Sequence, residues 1–489
     1  MRHSRPSARI LLIAVLSLGA GCLPVSGPSP EAPIPSATAP ETSATSLPAR
    51  TVFAPGELVP YLAKSGDTLP AIAAHFNTTL EELREANPDL PATVTTLPKG
   101  FPLQVPAYYS PLTGKPFQIL PDSEFVAGPS AAGFDLRREI QRRPGFLATL
   151  SDYAYERERP AWEVVEVVSR NYSLHPRMLL ALLEHQSHAL SKPVATETDR
   201  SYPLGYADPR WRGLFRQLVW AAERLSDGYY GWRAGTLREI ESADGLLVHP
   251  DPWQNSGTVG LQLLFAGIYE KTGFDLAVSP DGFQRSYHAL WGDPFQYESD
   301  LFPANLQQPP LALPFSLGQI WDFTGGPHFS WGTSLPLGAL DFAPPAVEGG
   351  CATSMVWIAA PAPGVITRSE EATVILDLDG DGDDRTGWSL FFFHVAAQDR
   401  VVVGKSVEQG DLLGHPSCEG GRSTGTHFHL ARRYNGEWLP AGGPMPFALD
   451  GWVAREGSEP YQGTLTKGSK VVLACTCSTA ENRILYEFP

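Results

Sequence analysis

Alternation of apolar and polar residues dominates the C-terminal part of the chain. Between residues 315 and 445, short stretches place every second side chain on one face, and Gly and Pro residues separate them. This two-residue period is typical of strands with one buried face, and short Gly/Pro turns favour antiparallel pairing. We therefore predict an antiparallel β region, followed by a small β tail over residues 446–489. The predicted strands are 356–360, 373–378, 389–394, 412–414 and 428–432.

A helical period replaces this alternation over residues 131–300. Trp162, Val165, Val168 and Tyr172 fall on one face of a predicted helix. Pro176 then stands where proline is favoured, in the first turn of the next helix. The spacing predicts a helical domain, joined to the β region by a Pro- and Leu-rich linker at residues 301–315.

Residues 56–108 combine both periods in a small βααβ unit. A strand leads through a turn into a first helix, which Ser65 or Asp67 could cap. Thr79 and Glu82 have the spacing of a capping box at the start of a second helix. A closing strand completes the unit.

This βααβ unit resembles a LysM domain, a family that binds the N-acetylglucosamine of peptidoglycan and chitin. The resemblance implies peptidoglycan as a partner and sugar contacts from two loops. A purely structural unit of the same fold is the alternative, because fold alone does not determine function. The implied contact residues are Gly66, Asp67, Thr68, Asn87, Pro88, Asp89 and Leu90.

Composition and charge narrow the class of protein. The 489 residues are enough for about three domains, and 43% hydrophobic residues with 12 Trp are ordinary for folded domains. The net charge of −16 comes without a basic stripe, so nucleic acid is not an expected partner. We expect a multidomain α+β protein.

The N-terminus predicts export. Basic residues and a short apolar run form a signal over residues 1–22, and the run is too short to span a bilayer. Cys22 follows small residues and resembles the lipidation site of a bacterial lipoprotein; a plain secretory signal is the alternative. Residues 23–55 are rich in Pro, Ser, Thr and Ala and predict an unfolded tether. We expect an exported protein that is secreted or held in the cell envelope, with a lipid anchor as its sole membrane contact.

Residues 175–187 resemble the first catalytic helix of lysozyme-like lytic transglycosylases. Where that family has a catalytic Glu before a Ser, this chain has Gln186 before Ser187. An amide has no titratable proton and cannot serve as a general acid. Two interpretations of this helical, lysozyme-like domain stay open, a relic of a glycan groove and a structural spacer.

The most distinctive motif is a pair of histidines near the end of the β region. His427 and His429 lie two residues apart on a predicted strand and therefore project from the same face. Both imidazoles could reach one metal ion and its bound water. Asp341, in the run 338–344, and His394, which ends a strongly apolar strand, are further candidates.

This set resembles the lysostaphin-like (LytM-type) zinc endopeptidases, which cut peptide cross-links in bacterial cell walls. The resemblance makes residues 316–445 a zinc endopeptidase-like domain with one zinc ion. It implies that Asp341 and His429 are zinc ligands. It also implies that His394 and His427 are catalytic and act on the water and on the tetrahedral intermediate.

The first zinc histidine of that family is missing from its usual place. Leu337 stands four residues before Asp341, where the family has histidine. Catalytic zinc normally has three protein ligands, so we expect His328 to supply the third from a Gly/Pro-rich loop that folds back toward Asp341. An ordinary loop histidine is the alternative.

Four cysteines remain once Cys22 is set aside. We expect Cys351 and Cys418, which flank the candidate site, to form a disulfide in an exported protein. Cys475 and Cys477 are separated by one residue, so a bridge between them would be strained. They could instead be free or pair with another chain, and the sequence leaves their state open.

An acidic run at residues 377–384 carries a further expectation. Alternating Asp oxygens with Gly turns suit Ca²⁺, with ligands from Asp377, Asp379 and Asp381. Trp388 stands where a calcium loop usually ends in Glu. A solvated hairpin tip is therefore the alternative.

Two functions stay open on the sequence alone. The first is a peptidoglycan-binding zinc metalloendopeptidase that hydrolyses peptide cross-links of the cell wall. The second is a catalytically degenerate protein, either an activator of a cell-wall amidase partner or a wall-anchored scaffold. Leu337 favours the second, and the retained Asp341 and histidines favour the first.

Overall fold

The computed structural model describes residues 52–108, 114–344 and 349–488. The predicted signal, Cys22 and nearly all of the tether lie outside the described residues. Within the described ranges, no helix is both long and apolar enough to cross a membrane.

The predicted βααβ unit forms as expected, with one difference at its first helix. Thr68, rather than Ser65 or Asp67, caps that helix by accepting a hydrogen bond from the backbone of Ala71. Asp67 instead accepts bonds from the Tyr61 hydroxyl and the Lys64 backbone. The capping box of the second helix is confirmed. In chain order the elements are β1 (Glu57–Leu62), α1 (Leu69–His75), α2 (Leu80–Glu85) and β2 (Pro102–Ala107).

The middle region is helical, as the apolar spacing predicts. Pro176 opens a helix at its first position, and the apolar faces meet in one core. Two short hairpins interrupt the helices: β3 (Ser151–Ala154) with β4 (Arg157–Pro160), and β5 (Ile240–Glu241) with β6 (Leu247–Val248). The helices are α3 (Leu136–Gln141), α4 (Ala161–Tyr172), α5 (Pro176–Ser187), α6 (Glu197–Ser201), α7 (Leu214–Arg233), α8 (Ser256–Ala266), α9 (Lys271–Ala277) and α10 (Phe283–Trp291).

The β region contains the predicted strands and a long hairpin that the alternation did not reveal. That hairpin, β7 with β8, spans residues 320–343. The strands are β7 (Ile320–Trp331), β8 (Ser334–Ala343), β9 (Ile358–Ala359), β10 (Gly364–Glu370), β11 (Thr373–Asp377), β12 (Trp388–Phe393), β13 (Ser406–Val407), β14 (Leu412–Gly414), β15 (Phe428–Tyr434) and β16 (Glu437–Trp438).

The C-terminal tail is part of this region. Its last strand joins the edge of the main sheet, which runs β13-β10-β11-β12-β15-β8-β7-β21 with every pair antiparallel. The other tail strands form a separate four-stranded sheet. They are β17 (Ala448–Leu449), β18 (Trp452–Glu456), β19 (Gly463–Lys467) and β20 (Lys470–Leu473), followed by β21 (Arg483–Leu485).

The two faces of the main sheet pack against different partners. Phe428 and Leu430 of β15 enter the core of the β region itself. Ala431 of the same strand and Phe391 of β12 point to the opposite face, where they join the core of the helical region. The helices therefore cover one face of the sheet, and this is the face on which His429 lies.

Arg233, at the end of α7, links all three regions through a buried network. Its guanidinium donates to both carboxylate oxygens of Glu437 in the β region, at 2.9 and 3.0 Å. It also donates to the Ser65 carbonyl of the βααβ unit, at 2.9 Å, and lies 3.4 Å from Asp122. The Tyr229 hydroxyl donates to Glu437 as well. A charge held in this way fixes the relative placement of the three regions.

Two disulfides are formed. The predicted Cys351–Cys418 bond is confirmed and closes a separation of 67 residues. Cys475 and Cys477, whose state the sequence left open, are bonded to each other, with Cα atoms 5.1 Å apart.

We predict that Arg233→Met destabilises the protein by about 3–5 kcal/mol, because Glu437 is left buried without its partner. Urea unfolding measures the loss. The double variant Arg233→Met, Glu437→Gln should lose less than the sum of the two single losses. Arg238→Met is the matched control: this exposed arginine also contacts the βααβ unit, and its loss should change stability by about 0.5 kcal/mol or less. Equal losses for both arginines would contradict the role of the network.

Replacing Cys351 and Cys418 by Ser should lower the free energy of unfolding by about 4 kcal/mol, because their bond closes a long loop in the unfolded chain. The bond between Cys475 and Cys477 closes almost no loop, so replacing these two residues by Ser should lower the free energy of unfolding by less than about 2 kcal/mol. Non-reducing urea unfolding of both double variants measures the difference. A larger loss for the second pair would refute the loop-closure argument.

Candidate functional site

Three strands bring the candidate site together. Asp341 on β8 lies directly opposite His429 on β15. His328 lies on β7, opposite Ala339 of β8, in a hairpin whose register shifts several times. The prediction that His328 approaches Asp341 is confirmed, but the prediction of a loop was wrong: an irregular strand carries the residue.

Three lone-pair donors converge at one point. His328 Nε2 lies 3.2 Å from Asp341 Oδ1 and 3.0 Å from His429 Nδ1. His429 Nδ1 lies 3.5 Å from the same Asp341 oxygen. Asp341 Oδ1 is buried and makes no hydrogen bond of normal geometry. Two nitrogens and one oxygen at this spacing match the donor set of a divalent metal centre.

Backbone carbonyls orient both imidazoles. His328 Nδ1 donates to the Gly326 carbonyl at 2.8 Å, and His429 Nε2 donates to the Ser330 carbonyl at 3.0 Å. In the neutral ring the other nitrogen then has no proton and presents a lone pair. Both lone pairs face Asp341, which is how metal-ligating histidines are normally held.

The electrostatics favour a positive charge at this point. Burial alone would raise the pKa of Asp341, but the charge on the facing His328 ring holds this pKa well below its ordinary value. Burial would likewise lower the pKa of His328, yet the facing carboxylate raises it. The site therefore attracts a proton or a metal cation.

His394 and His427 form a second layer beside these donors. Their rings lie 4.6 Å apart, and His427 Nε2 is 3.8 Å from Asp341 Oδ2. His394 Nδ1 donates to the Glu419 carbonyl, and His427 Nδ1 donates to the Gly425 carbonyl. Burial and the neighbouring His427 lower the pKa of His394 to about 4. His394 is thus neutral at pH 7 and its Nε2 is free to accept a proton.

Steric contact explains a glycine in the Gly-Gly-Pro run before His328. A side chain at Gly325 would collide with the Asp341 carboxylate, so only glycine lets β7 approach this closely. Leu337 lies four residues before Asp341 on the same strand, which places it about 13 Å away along the chain. It pairs with Phe329 of β7, beyond His328, and it is not among the residues that line the groove around the three donors.

The sequence analysis did not identify several residues that surround the site. Tyr461 of the tail stacks on His328 with ring centroids 4.2 Å apart. The site opens into a groove of about 1390 Å³ between the sheet and the helical region. Aromatic side chains from both sides line it, namely Tyr155, Tyr172, Phe215, Trp331 and Phe393. The alternation predicts strands, and the motifs predict metal-ligating residues. Neither predicts which parts of the chain, distant in sequence, pack together around the site.

The residues implied in sugar binding are partly used by the fold. The ring of Phe302 fills the space beside Gly66, and Asp67 is buried. Asn87 holds the second strand through bonds to Gln104. Pro88 and Asp89 are exposed and Leu90 is half-buried, while Thr68 caps its helix.

Two further groups of residues lie away from the site. Gln186 accepts a bond from the Tyr269 hydroxyl at 2.7 Å inside the helical region. Asp377, Asp379 and Asp381 are brought together on the hairpin between β11 and β12. Calcium binding there stays a prediction.

Comparison with known proteins agrees with this division of the chain. Residues 61–106 match the LysM domain family, and residues 118–305 match the family described as LasA, N-terminal domain. The helical region compared above with lytic transglycosylases is the part that matches the LasA domain. Its lysozyme-like origin stays a prediction.

The LasA protease of Pseudomonas aeruginosa is 27% identical over 361 residues, which cover 69% of this chain and 77% of that protein. The M23 metalloprotease pseudoalterin is 24% identical, with a TM-score of 0.30, and covers 34% of this chain and 96% of its own. The catalytic domain of lysostaphin from Staphylococcus simulans is 20% identical, with a TM-score of 0.18, over 25% of this chain and 87% of its own. The chain therefore has one segment that matches the LysM family and one that matches the LasA N-terminal domain, and it is similar to the LasA protease over 69% of its length.

Proposed function

We propose that this protein is a peptidoglycan-binding zinc metalloendopeptidase that hydrolyses the peptide cross-links of bacterial cell walls. One observation carries the proposal: His328, Asp341 and His429 direct three lone-pair donors at one buried point. The similarity to the LasA protease and the LysM match support the reaction class and the substrate.

The donor set fits zinc. Two imidazole nitrogens and one carboxylate oxygen leave a fourth position for water, as in catalytic zinc sites. The buried Asp341 Oδ1, which has no hydrogen bond of normal geometry, gains a partner when a cation binds. Zinc held there would lower the pKa of a bound water and polarise the peptide carbonyl.

The second layer of histidines supplies proton transfer and orientation. His394 can accept a proton from the attacking water at its Nε2, because its Nδ1 donates to the Glu419 carbonyl. His427, fixed by the Gly425 carbonyl, directs its Nε2 toward the centre, and its doubly protonated ring would donate from Nε2 to the oxyanion. The aromatic groove between the sheet and the helices offers a surface on which a peptide strand can lie.

The one observation that favoured a catalytically degenerate domain no longer favours it. It rested on Leu337, which stands in place of a histidine. In the structure His328 reaches Asp341 from the neighbouring strand, so the donor set has three members without residue 337. Activation of an amidase then has no structural feature in its favour.

We place the protein outside the cytoplasm, where its substrate lies. Two disulfides support an oxidising compartment. Anchoring through a lipid on Cys22 remains part of the proposal. The LysM unit would hold the enzyme on its substrate and raise the local concentration of cross-links.

We predict that His328→Ala lowers bound zinc from about one per chain to below ~0.1 and abolishes cleavage of cross-linked wall peptides, because two donors hold the ion weakly. Metal analysis and a turbidity assay on purified sacculi measure both. His288→Ala, in α10 and far along the chain from the site, is the matched control and should keep full zinc and activity.

A second variant tests the geometry of the site. Adding Leu337→His to His328→Ala should restore neither zinc nor activity, since residue 337 pairs with Phe329 and does not line the groove around Asp341. Full zinc in His328→Ala alone would remove His328 from the ligand set, and recovery in the double variant would contradict the strand register.

Sugar binding at Gly66 to Thr68 requires Phe302 to move, because its ring covers Gly66. We therefore predict that Phe302→Ala increases the fraction of full-length protein that sediments with purified sacculi. Phe315→Ala removes an equally buried ring from the β region and controls for general loss of stability. Equal sedimentation of wild type and Phe302→Ala would place the sugar site elsewhere, on the exposed side near Pro88 and Asp89.

A further inference from the structure

The hairpin between β11 and β12 carries an acidic cluster that the proposed peptidase reaction does not use. One carboxylate oxygen from each of Asp377, Asp379 and Asp381 lies within 4.8 Å of the other two. Asp379 and Asp381 are exposed, whereas the side chain of Asp377 is fully buried at the end of β11.

Asp377 provides an observation independent of the clustering. Its Oδ2 accepts a hydrogen bond from the Gly382 backbone at 2.9 Å. Its Oδ1 is buried and has no hydrogen-bond partner. A buried carboxylate oxygen without a partner is costly unless a cation or donor meets it.

The neighbouring arginines form ion pairs with other aspartates. Arg385 binds both oxygens of Asp383, at 2.6 and 2.7 Å, and Arg433 binds Asp384 at 3.1 Å. In the described part of the chain, no Lys or Arg forms an ion pair with any of the three clustered carboxylates. Burial, together with Asp379 and Asp381, raises the pKa of Asp377 to about 7.

The loop also has the backbone of a cation-binding turn. Acidic residues occupy its first, third and fifth positions, and Gly382 at the sixth has a φ of 85°, which glycine adopts without strain. The Asp383 backbone donates to Asp381 Oδ1, and the Thr386 hydroxyl donates to Asp381 Oδ2. These bonds fix one exposed carboxylate so that it faces the other two.

We propose that Asp377, Asp379 and Asp381 bind one Ca²⁺ ion, at a structural site separate from the catalytic centre. Hard carboxylate oxygens on a flexible loop suit Ca²⁺ better than Zn²⁺ or Mg²⁺. Trp388 stands at position twelve, so the bidentate ligand of the strongest sites is lacking. The affinity therefore falls in the range of extracellular calcium modules, with a Kd on the order of 10⁻⁴ M.

Calcium bound here would act on the junction between the regions. Arg385, on the same loop, donates to the Ala131 carbonyl of the helical region. The Gly387 backbone bonds to Asn435, whose amide donates to the Leu301 carbonyl. An ordered hairpin keeps these contacts in place, so the ion stabilises the packing of the sheet against the helices.

The test uses full-length protein loaded with zinc and then freed of calcium. Terbium is the probe, because Trp388 adjoins the loop and can sensitise its luminescence. Wild type should bind one Tb³⁺ per chain, Ca²⁺ should displace it, and 5 mM Ca²⁺ should raise Tm by several degrees, as ligand linkage requires (about RT ln(1 + [L]/Kd)). Asp379→Asn and Asp381→Asn should each weaken binding about tenfold or more, with zinc content unchanged.

Asp300→Asn is the matched control, since it removes one exposed charge from elsewhere on the surface and should bind as wild type does. Absence of sensitised luminescence and of any Tm shift in wild type would overturn the proposal. So would Asp379→Asn and Asp381→Asn variants that bind as tightly as wild type. Because zinc content is measured in the same samples, failure here is distinguishable from failure of the peptidase proposal.

Discussion

The pairing of β8 with β15 is the constraint on which the rest of the structure depends. It sets Asp341 opposite His429 on the face of the sheet that the helices cover. A slip of one residue would turn both side chains to the other face, into the apolar core around Phe428. The site, the groove above it and the docking of the helical region therefore share a single register. This explains why so many apolar side chains hold it from both faces.

The sequence predicted the chemistry of the site better than its geometry. The resemblance to the lysostaphin-like endopeptidases implied Asp341 and His429 as ligands, and the two-residue period of a strand placed His427 on the same face as His429. His328 was chosen because a third donor was needed, but its strand was missed. Repeated register shifts in β7 disrupt the alternation there. Tyr461 could not be found at all, because no local pattern reports a contact made across more than a hundred residues.

The fold was predictable where the signals were local. The capping box at Thr79 and the proline at the start of α5 depend on neighbours a few residues away. The Arg233 network instead joins side chains from three regions, and nothing in its local sequence distinguishes it from a surface arginine. The same limit applies to Phe302, whose contact with Gly66 joins residues more than two hundred positions apart.

Each of the four histidines of the site is oriented by a backbone carbonyl. The carbonyls belong to Gly326, Ser330, Gly425 and Glu419. Substitution of a neighbouring residue leaves its main-chain oxygen in place. Point mutations around the site should therefore rarely change the orientation of these imidazole rings. An insertion or deletion in β7 or in the loop before β15 would move several of them at once. Sequence change in this protein should thus tolerate exchange of residue types around the site but should keep the loop lengths nearly constant.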